Sequence, residues 1–219
     1  MLKSYVKRAG HSTAAQKKAY EELSHLFLIP YTEEKIDFSK TFVNSKSVTA
    51  EIGFGMGAAT TLIAQENPDK SYLGIEVHRA GIGKLLWEIK ERSLSNIRIV
   101  EHDAADVIQK MFPESSLDAI HVFFPDPWQK KRHRKRRLIQ RPFTEYLAKC
   151  LKPGGYFYMV TDWEDYANHA LEELSLCPLL KNDYGGFAPA QSWRPETKFE
   201  KKGLDKNHVI KELFFKRKI

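Results

Sequence analysis

One stretch limits the fold more than any other: Glu51-Ile52-Gly53-Phe54-Gly55-Met56-Gly57. It follows the β-branched run Val48-Thr49 and precedes Ala58 to Ala64, a good helix start. A strand, a glycine-rich turn and a helix make half of a nucleotide-binding βαβ unit. The glycines tighten the turn and let backbone approach a ligand that a Cβ would block. The spacing is G-x-G-x-G with an acid before the first glycine, not the G-x-G-x-x-G of dinucleotide binders. A carboxylate there suits a ligand carrying positive charge, such as an amino group, and repels a pyrophosphate. An ordinary strand-to-helix turn would use the same glycines, so the rest of the chain has to decide.

From residue 47 onward strands and helices alternate, which argues for a parallel sheet covered on both faces. The pattern predicts strands over about 47–52, 71–76, 97–100, 119–124 and 156–160, and a last strand over 209–215. It predicts helices over about 58–67, 139–151 and 163–176, one carrying the apolar stripe Ile82, Leu85, Leu86, Ile89, and a short one with Val107, Ile108 and Met111. Pro153-Gly154-Gly155 reads as the stop of the 139–151 helix. Residues 184–203 hold Gly, Pro, Trp and charge without periodicity, as functional loops do. Residues 1–46 form a basic lead-in with a helix over 16–27; it either packs on the core or holds RNA. The division is therefore an arm and helix over 1–46 and a catalytic domain over 47–219.

The chain's 219 residues suffice for one domain that buries roughly 70% of its unfolded surface. No apolar run is long enough to span a membrane and no signal-like start is present, so a cytoplasmic protein without membrane contact is expected. Cys150 and Cys177 lack ligand-like spacing and read as reduced core thiols. The formal charge is +7, and its location is informative. Lys130 to Arg137 reads K-K-R-H-R-K-R-R; without its seven Lys and Arg, 28 basic residues face 28 acidic ones. One concentrated patch is the footprint of a polyanion.

In an open α/β sheet ligands bind beyond the carboxyl ends of the strands. The first five predicted strands end at Glu51, Glu76, Asp103, Asp126 and Asp162. A single such acid is explained by capping, and Asp162, with Asp165 three residues on, reads as a capping box. Five unpartnered acids would repel one another, and a ligand offering hydroxyls, amines and positive charge relieves that. Glu76 is placed to hold the ribose hydroxyls of an adenosine, Asp103 with Ala104 to meet its amino group, and Glu51 to face an amino-acid moiety. The combination points to S-adenosylmethionine rather than NAD. Asp126 sits where the methyl would leave. Pro125-Asp126-Pro127-Trp128 is stiffened by two prolines and sets a carboxylate beside a tryptophan, which reads as a platform for a base or as a turn covering the sheet edge. The basic run begins two residues later, which favours RNA over a merely solvated face.

With these motifs the chain resembles the bacterial tRNA (guanine-N7-)-methyltransferases of the TrmB family. The matching stretches are Glu51 to Gly57, Gly74 to His78, His102 to Ala104, Phe123 to Arg137, Thr161 to Glu164 and Thr197 to Glu200. The lead-in Ser4 to Arg8 is also similar, whereas His11 to Thr13 and Lys201-Lys202-Gly203 depart from the family pattern. The resemblance implies an α/β, Rossmann-like class I methyltransferase fold: a mostly parallel central sheet, helices on both faces and an antiparallel last strand. It implies methyl transfer from S-adenosylmethionine to N7 of a guanine in the tRNA variable loop. Glu51, Gly53, Gly55, Gly57, Glu76, Asp103, Ala104 and Asp126 would bind the donor, with Asp126 the catalytic candidate. Lys130, Asp162, Thr197, Lys198, Phe199 and Glu200 would touch the guanine, and Arg132, His133, Arg134, Lys135, Arg136 and Arg137 would hold the tRNA. No metal and no second subunit type are implied, and the family acts as monomers or homodimers. Rival readings are another RNA base methyltransferase, a non-catalytic RNA-binding protein and a nicotinamide oxidoreductase.

Overall fold

The computed structural model describes residues 3–5, 12–43, 45–196, 200 and 209–219. The chain falls into two compact units, one of Lys7–Pro113 and one combining Met1–Val6 with Glu114–Ile219. The strand order is β3-β2-β1 in the first unit and β4-β5-β7-β6 in the second.

In the first unit, α1 (Ala14–Phe27) starts at a capping box between Thr13 and Gln16. After α2 (Phe38–Thr41) come β1 (Val48–Ile52), α3 (Ala58–Glu66), β2 (Ser71–Glu76), α4 (Arg79–Glu91) and β3 (Ile97–Glu101). The three strands are parallel, with Glu51 beside Gly74 and Glu76 beside Glu101. β1 and β2 are buried along their whole length, as the apolar runs require of strands covered on both sides. Helices α3 and α4 pack on β2, and α1 packs on α4 and β3. The predicted stripe Ile82, Leu85, Leu86 and Ile89 is the buried face of α4. The expected short helix is α5 (Ala104–Asp106), which widens into a π turn over Val107–Met111.

In the second unit, β4 (Leu117–Phe123) leads to a 3-10 helix over Lys131–Arg136, then α6 (Phe143–Cys150), β5 (Leu151–Thr161), α7 (Glu164–Ser175), β6 (Leu180–Lys181) and β7 (Lys211–Arg217). β5 pairs parallel with β4 and antiparallel with β7, which pairs antiparallel with β6. Both cysteines are free and buried.

Three expectations are corrected, and one strand is new. The 139–151 helix is only α6, since Pro142 holds Arg141 out of helical geometry. Ile139 lies outside it and is buried, its amide donating to Tyr166 Oη at 3.1 Å. Pro153-Gly154-Gly155 stops no helix; it lies inside β5, where Gly154 is left-handed and the register to β4 shifts. The last strand begins at Lys211 rather than Val209 and runs to Arg217. The two-residue β6 carried no sequence signal.

Candidate active site

The first unit gathers the glycine turn and three acids at one edge of its strands. Gly53, Gly55 and Gly57 all have left-handed φ, so the turn is open only to glycine without strain. The Gly53 amide donates to Ile75 O at 2.8 Å, which pins the turn to β2. At Gly81, in the first turn of α4, a Cβ would stand 2.0 Å from Gly55 O. The turn therefore rests on a helix that must be bare at that point. Gly81 carries no motif in the sequence, and only the close approach reveals it.

Glu51 is 4% exposed. Its carboxyl accepts from Thr60 Oγ1 at 2.8 Å, and no cation reaches it among the described residues. Burial pushes its carboxyl up to about 7, Thr60 opposes this, and the charge of Glu76 adds to it. A positively charged ligand is what this group lacks.

Glu76 is held by backbone. Its Oε1 accepts from the amides of Val77 at 2.7 Å and His78 at 3.1 Å, and its Oε2 from the amide of Gly55 at 3.0 Å. Three of about four acceptor sites are taken. One hydroxyl can join as the carboxylate stands; gripping both ribose hydroxyls requires release of one of these amide contacts. Asp103 is the N-cap of α5, with Oδ1 accepting from the Ala105 amide at 2.9 Å, and Ala104 opens the helix. Beside it the His102 ring stacks on Tyr31 with centroids 3.6 Å apart. Capping accounts for one oxygen of Asp103 and orients the other.

The second unit carries the proline-stiffened loop. Phe124 and Trp128 both have φ near +48°, an expensive conformation for non-glycine residues, and they bracket Pro125-Asp126-Pro127. The Phe124 amide donates to Val160 O at 2.8 Å. Asp126 is exposed. Asp126 and Asp162 follow the carboxyl ends of the paired parallel strands β4 and β5. Asp162 is not a cap, because α7 has Trp163 as its N-cap residue without a side-chain cap bond. The expected capping partner, Asp165, pairs instead with Arg134 at 3.0 Å and with Arg137.

Trp128 is no open platform either. Arg136 lies over its ring at 4.2 Å, His133 meets it edge-on, and its Nε1 donates to Ser4 O at 2.9 Å. Arg136 also donates to the carbonyls of Lys3 and Tyr5, both at 3.0 Å. The two side chains strap residues 3–5 to this loop.

The basic run divides into two classes. Arg137 is 1% exposed; it donates to Pro127 O at 3.0 Å, pairs with Asp165 and lies over Tyr166 at 4.9 Å. It ties the stiff loop to α7, and its charge is met inside the protein, which removes it from the residues available to RNA. Arg136 is held by the Trp128 ring and two carbonyls, and no carboxylate pairs with it among the described residues. Lys130, Lys131, Arg132 and Lys135 are exposed, and none forms an ion pair among the described residues. Partial burial and the surrounding cations push the His133 ring below its usual value.

Glu200 is buried, and its two oxygens accept from Arg194 at 2.5 and 2.7 Å. Arg194 also donates to Glu212 at 2.9 Å and to Tyr158 Oη at 3.1 Å, and Tyr158 donates to Glu212. The expected guanine contact at Glu200 thus falls on a carboxylate already gripped by an arginine. Thr197, Lys198 and Phe199 lie outside the described residues. So do Lys201 to Gly203 and most of the lead-in similarity. This buried network, with Trp193 stacked on His121 at 4.9 Å, had no periodic signature in the 184–203 stretch. Burial pushes the His121 ring down to about 3, so it is neutral; Tyr156 Oη lies 3.1 Å from its Nε2.

A family model described as "Putative methyltransferase" matches residues 45–213. A tRNA (guanine-N(7)-)-methyltransferase of Ralstonia pickettii is 52% identical over 219 residues, covering 99% of this chain and 85% of that protein. The enzyme of the same description from Chromobacterium violaceum is 49% identical, covering 99% of this chain and 96% of its own length. Among solved structures, the 16S rRNA methyltransferase KamB superposes with a TM-score of 0.62 at 14% identity, over 85% of this chain and 95% of KamB. TrmN from Thermus thermophilus gives 0.54 at 17% identity, over 81% of this chain and 45% of TrmN. At such identities these two show the fold alone.

Proposed function

We infer the activity from one premise: the chain belongs to the bacterial tRNA (guanine-N7-)-methyltransferase family. It methylates N7 of a guanine in tRNA, and identity of about half the residues over nearly the whole length carries that reading. We further propose that the methyl donor is S-adenosylmethionine, that the target guanine lies in the variable loop, and that the protein works in the cytoplasm. No helix among the described residues is long and apolar enough to cross a membrane.

The donor fits the residues present. Glu51 is a buried carboxylate that no cation reaches among the described residues, beside a turn whose backbone is bare at Gly53 and Gly55. S-adenosylmethionine supplies an ammonium for Glu51 and a methyl carbon activated by a sulfonium. Glu76 would accept from the ribose and Asp103 with Ala104 would meet the adenine. A nicotinamide dinucleotide would set a pyrophosphate against Glu51, which disfavours the oxidoreductase reading.

Guanine N7 has an in-plane lone pair and no proton, so no general base is needed to create the nucleophile. The chain's work is positioning, which supplies several kcal/mol. Asp126, rigid between two prolines, would orient the base and oppose the positive charge that grows on it. Lys130 and Asp162 would flank the guanine together with residues 197–200, with Glu200 acting through the orientation Arg194 imposes. Arg132, His133, Arg134 and Lys135 would meet RNA phosphates, while Arg136 and Arg137 hold the loop.

The deciding experiment incubates the protein with unmodified tRNA and labelled S-adenosylmethionine and digests the product to nucleosides. The expected result is 7-methylguanosine as the labelled product. A different labelled nucleoside would favour another base methyltransferase, and none at all a binding protein.

A further inference from the structure

A cavity of about 370 Å³ opens in the Lys7–Pro113 unit, far from the glycine turn, with Lys40, Asp69, Ser71, Ser95, Asn96 and Arg98 in its wall. It lies at the amino ends of the strands. Ser71 is the first residue of β2, and Arg98 is the second of β3. The length of β2 separates it from Glu76, about 17 Å at the rise of an extended strand.

Arg98 is the reason to expect a ligand. Its guanidinium lies 5.5 Å from the Phe27 ring and 5.8 Å from the Phe42 ring. Its Nη1 donates to the carbonyls of Ser95 at 2.9 Å and Ile97 at 2.7 Å. Burial lowers its readiness to carry charge. No carboxylate pairs with it among the described residues, and its Nε and Nη2 make no hydrogen bond there. Rings and carbonyls orient this cation but do not neutralise it, and partial burial makes a charge without a counter-ion costly.

The rest of the wall is arranged to match. The one acid, Asp69, is already met by Lys46 at 3.0 Å. The hydroxyls of Ser71 and Ser95 make no hydrogen bond to a described residue. Lys40 extends from the rim, its side chain 86% exposed and 3.5 Å from Asp37. Asn96 is scaffold, since its amide donates to the carbonyls of Ala64, Asn67 and Lys70. The groups in the wall that can donate are a guanidinium edge, two hydroxyls and, at the rim, the Lys40 ammonium beside Asp37. A tetrahedral oxyanion accepts from such a set better than a planar carboxylate does.

We propose that this cavity is a phosphate-binding site, separate from the methyl-transfer site. The phosphate comes either from a free phosphate or mononucleotide, or from the backbone of the RNA substrate. The second source rests on the reading given under the proposed function; the first does not.

The test uses the full-length protein, with Lys40→Ala, Ser95→Ala, their double variant and Arg98→Gln. Binding of inorganic phosphate is followed by phosphorus NMR line broadening in chloride buffer, and tRNA affinity is measured against salt. Phosphate binding by the wild type, weakened about threefold or more in the double variant and lost in Arg98→Gln, supports the site. If Arg98→Gln does not fold, the double variant decides. A salt slope smaller by about 1 in Lys40→Ala identifies an RNA phosphate as the occupant, whereas an unchanged slope with phosphate binding identifies a free one. Phosphate binding that is absent, or indifferent to these variants, together with an unchanged slope overturns the proposal. Methyl transfer by wild type at saturating tRNA is measured alongside, so that failure of the catalytic reading is seen separately.

Discussion

At the scale of single residues, Glu51 is where stability and function pull apart. Its folded-state carboxyl titrates at about 7 against an ordinary 4.5. A raised carboxyl favours the folded state while protonated, and that advantage is lost as pH rises through about 7. Full ionisation without a counter-ion costs at most about 3 kcal/mol. Glu51→Gln is therefore expected to raise the melting temperature of the donor-free protein more at pH 8 than at pH 5. Equal shifts at both would refute it. The same titration makes donor binding strengthen several-fold from about pH 6 to pH 7.5 in the wild type and not in Glu51→Gln, as calorimetry would read. Asp126 differs, being exposed and on a loop fixed by its neighbours rather than by its own contacts. Asp126→Ala is expected to fold normally, to lose about 10²–10³-fold in turnover, and to lose much less in donor affinity. Near-wild-type turnover would remove it from the chemistry.

At the scale of elements, two features decide how local pieces become a site. Helix propensity alone favours Gly81→Ala by about 1 kcal/mol. The added Cβ would stand 2.0 Å from Gly55 O, and backbone cannot yield cheaply, so the clash should win at about 1–3 kcal/mol. Gly81→Ala is expected to lower the melting temperature and weaken donor binding about tenfold or more; a stabilised variant would show that the turn moves freely. The 3-10 helix over Lys131–Arg136 divides its charge between inside and outside. Replacing Lys130, Arg132 and Lys135 by Gln is expected to lower the slope of log affinity for tRNA against log salt by about 2–3 without destabilising the fold. Arg137→Gln should instead cost stability by removing a buried guanidinium that pairs with Asp165 and holds Pro127 O, leaving Asp165 to Arg134 alone. An unchanged slope in the triple variant would move the RNA elsewhere.

At the scale of the molecule, much was legible in the sequence: alternating strands and helices, the glycine turn, acids after successive strands and a charge excess confined to 130–137. These are period, spacing and composition, which act between near neighbours along the chain. A strand buried on both faces must be apolar throughout, and a left-handed turn must be glycine, so residue order alone determines them. The 3-10 helix hid from that reading, because eight consecutive polar residues have no apolar face to betray a period. What tertiary structure alone decided is which polar group answers which. Asp165 looked like a capping partner and instead holds Arg134 and Arg137; Arg137 looked like an RNA contact and is buried; Glu200 pairs with Arg194, which also holds Glu212 and Tyr158. Hydrophobic burial follows a pattern that one segment carries by itself. The pairing of buried charges depends on distances between segments far apart in sequence, because an ion pair gains energy only at contact range and only where water is excluded.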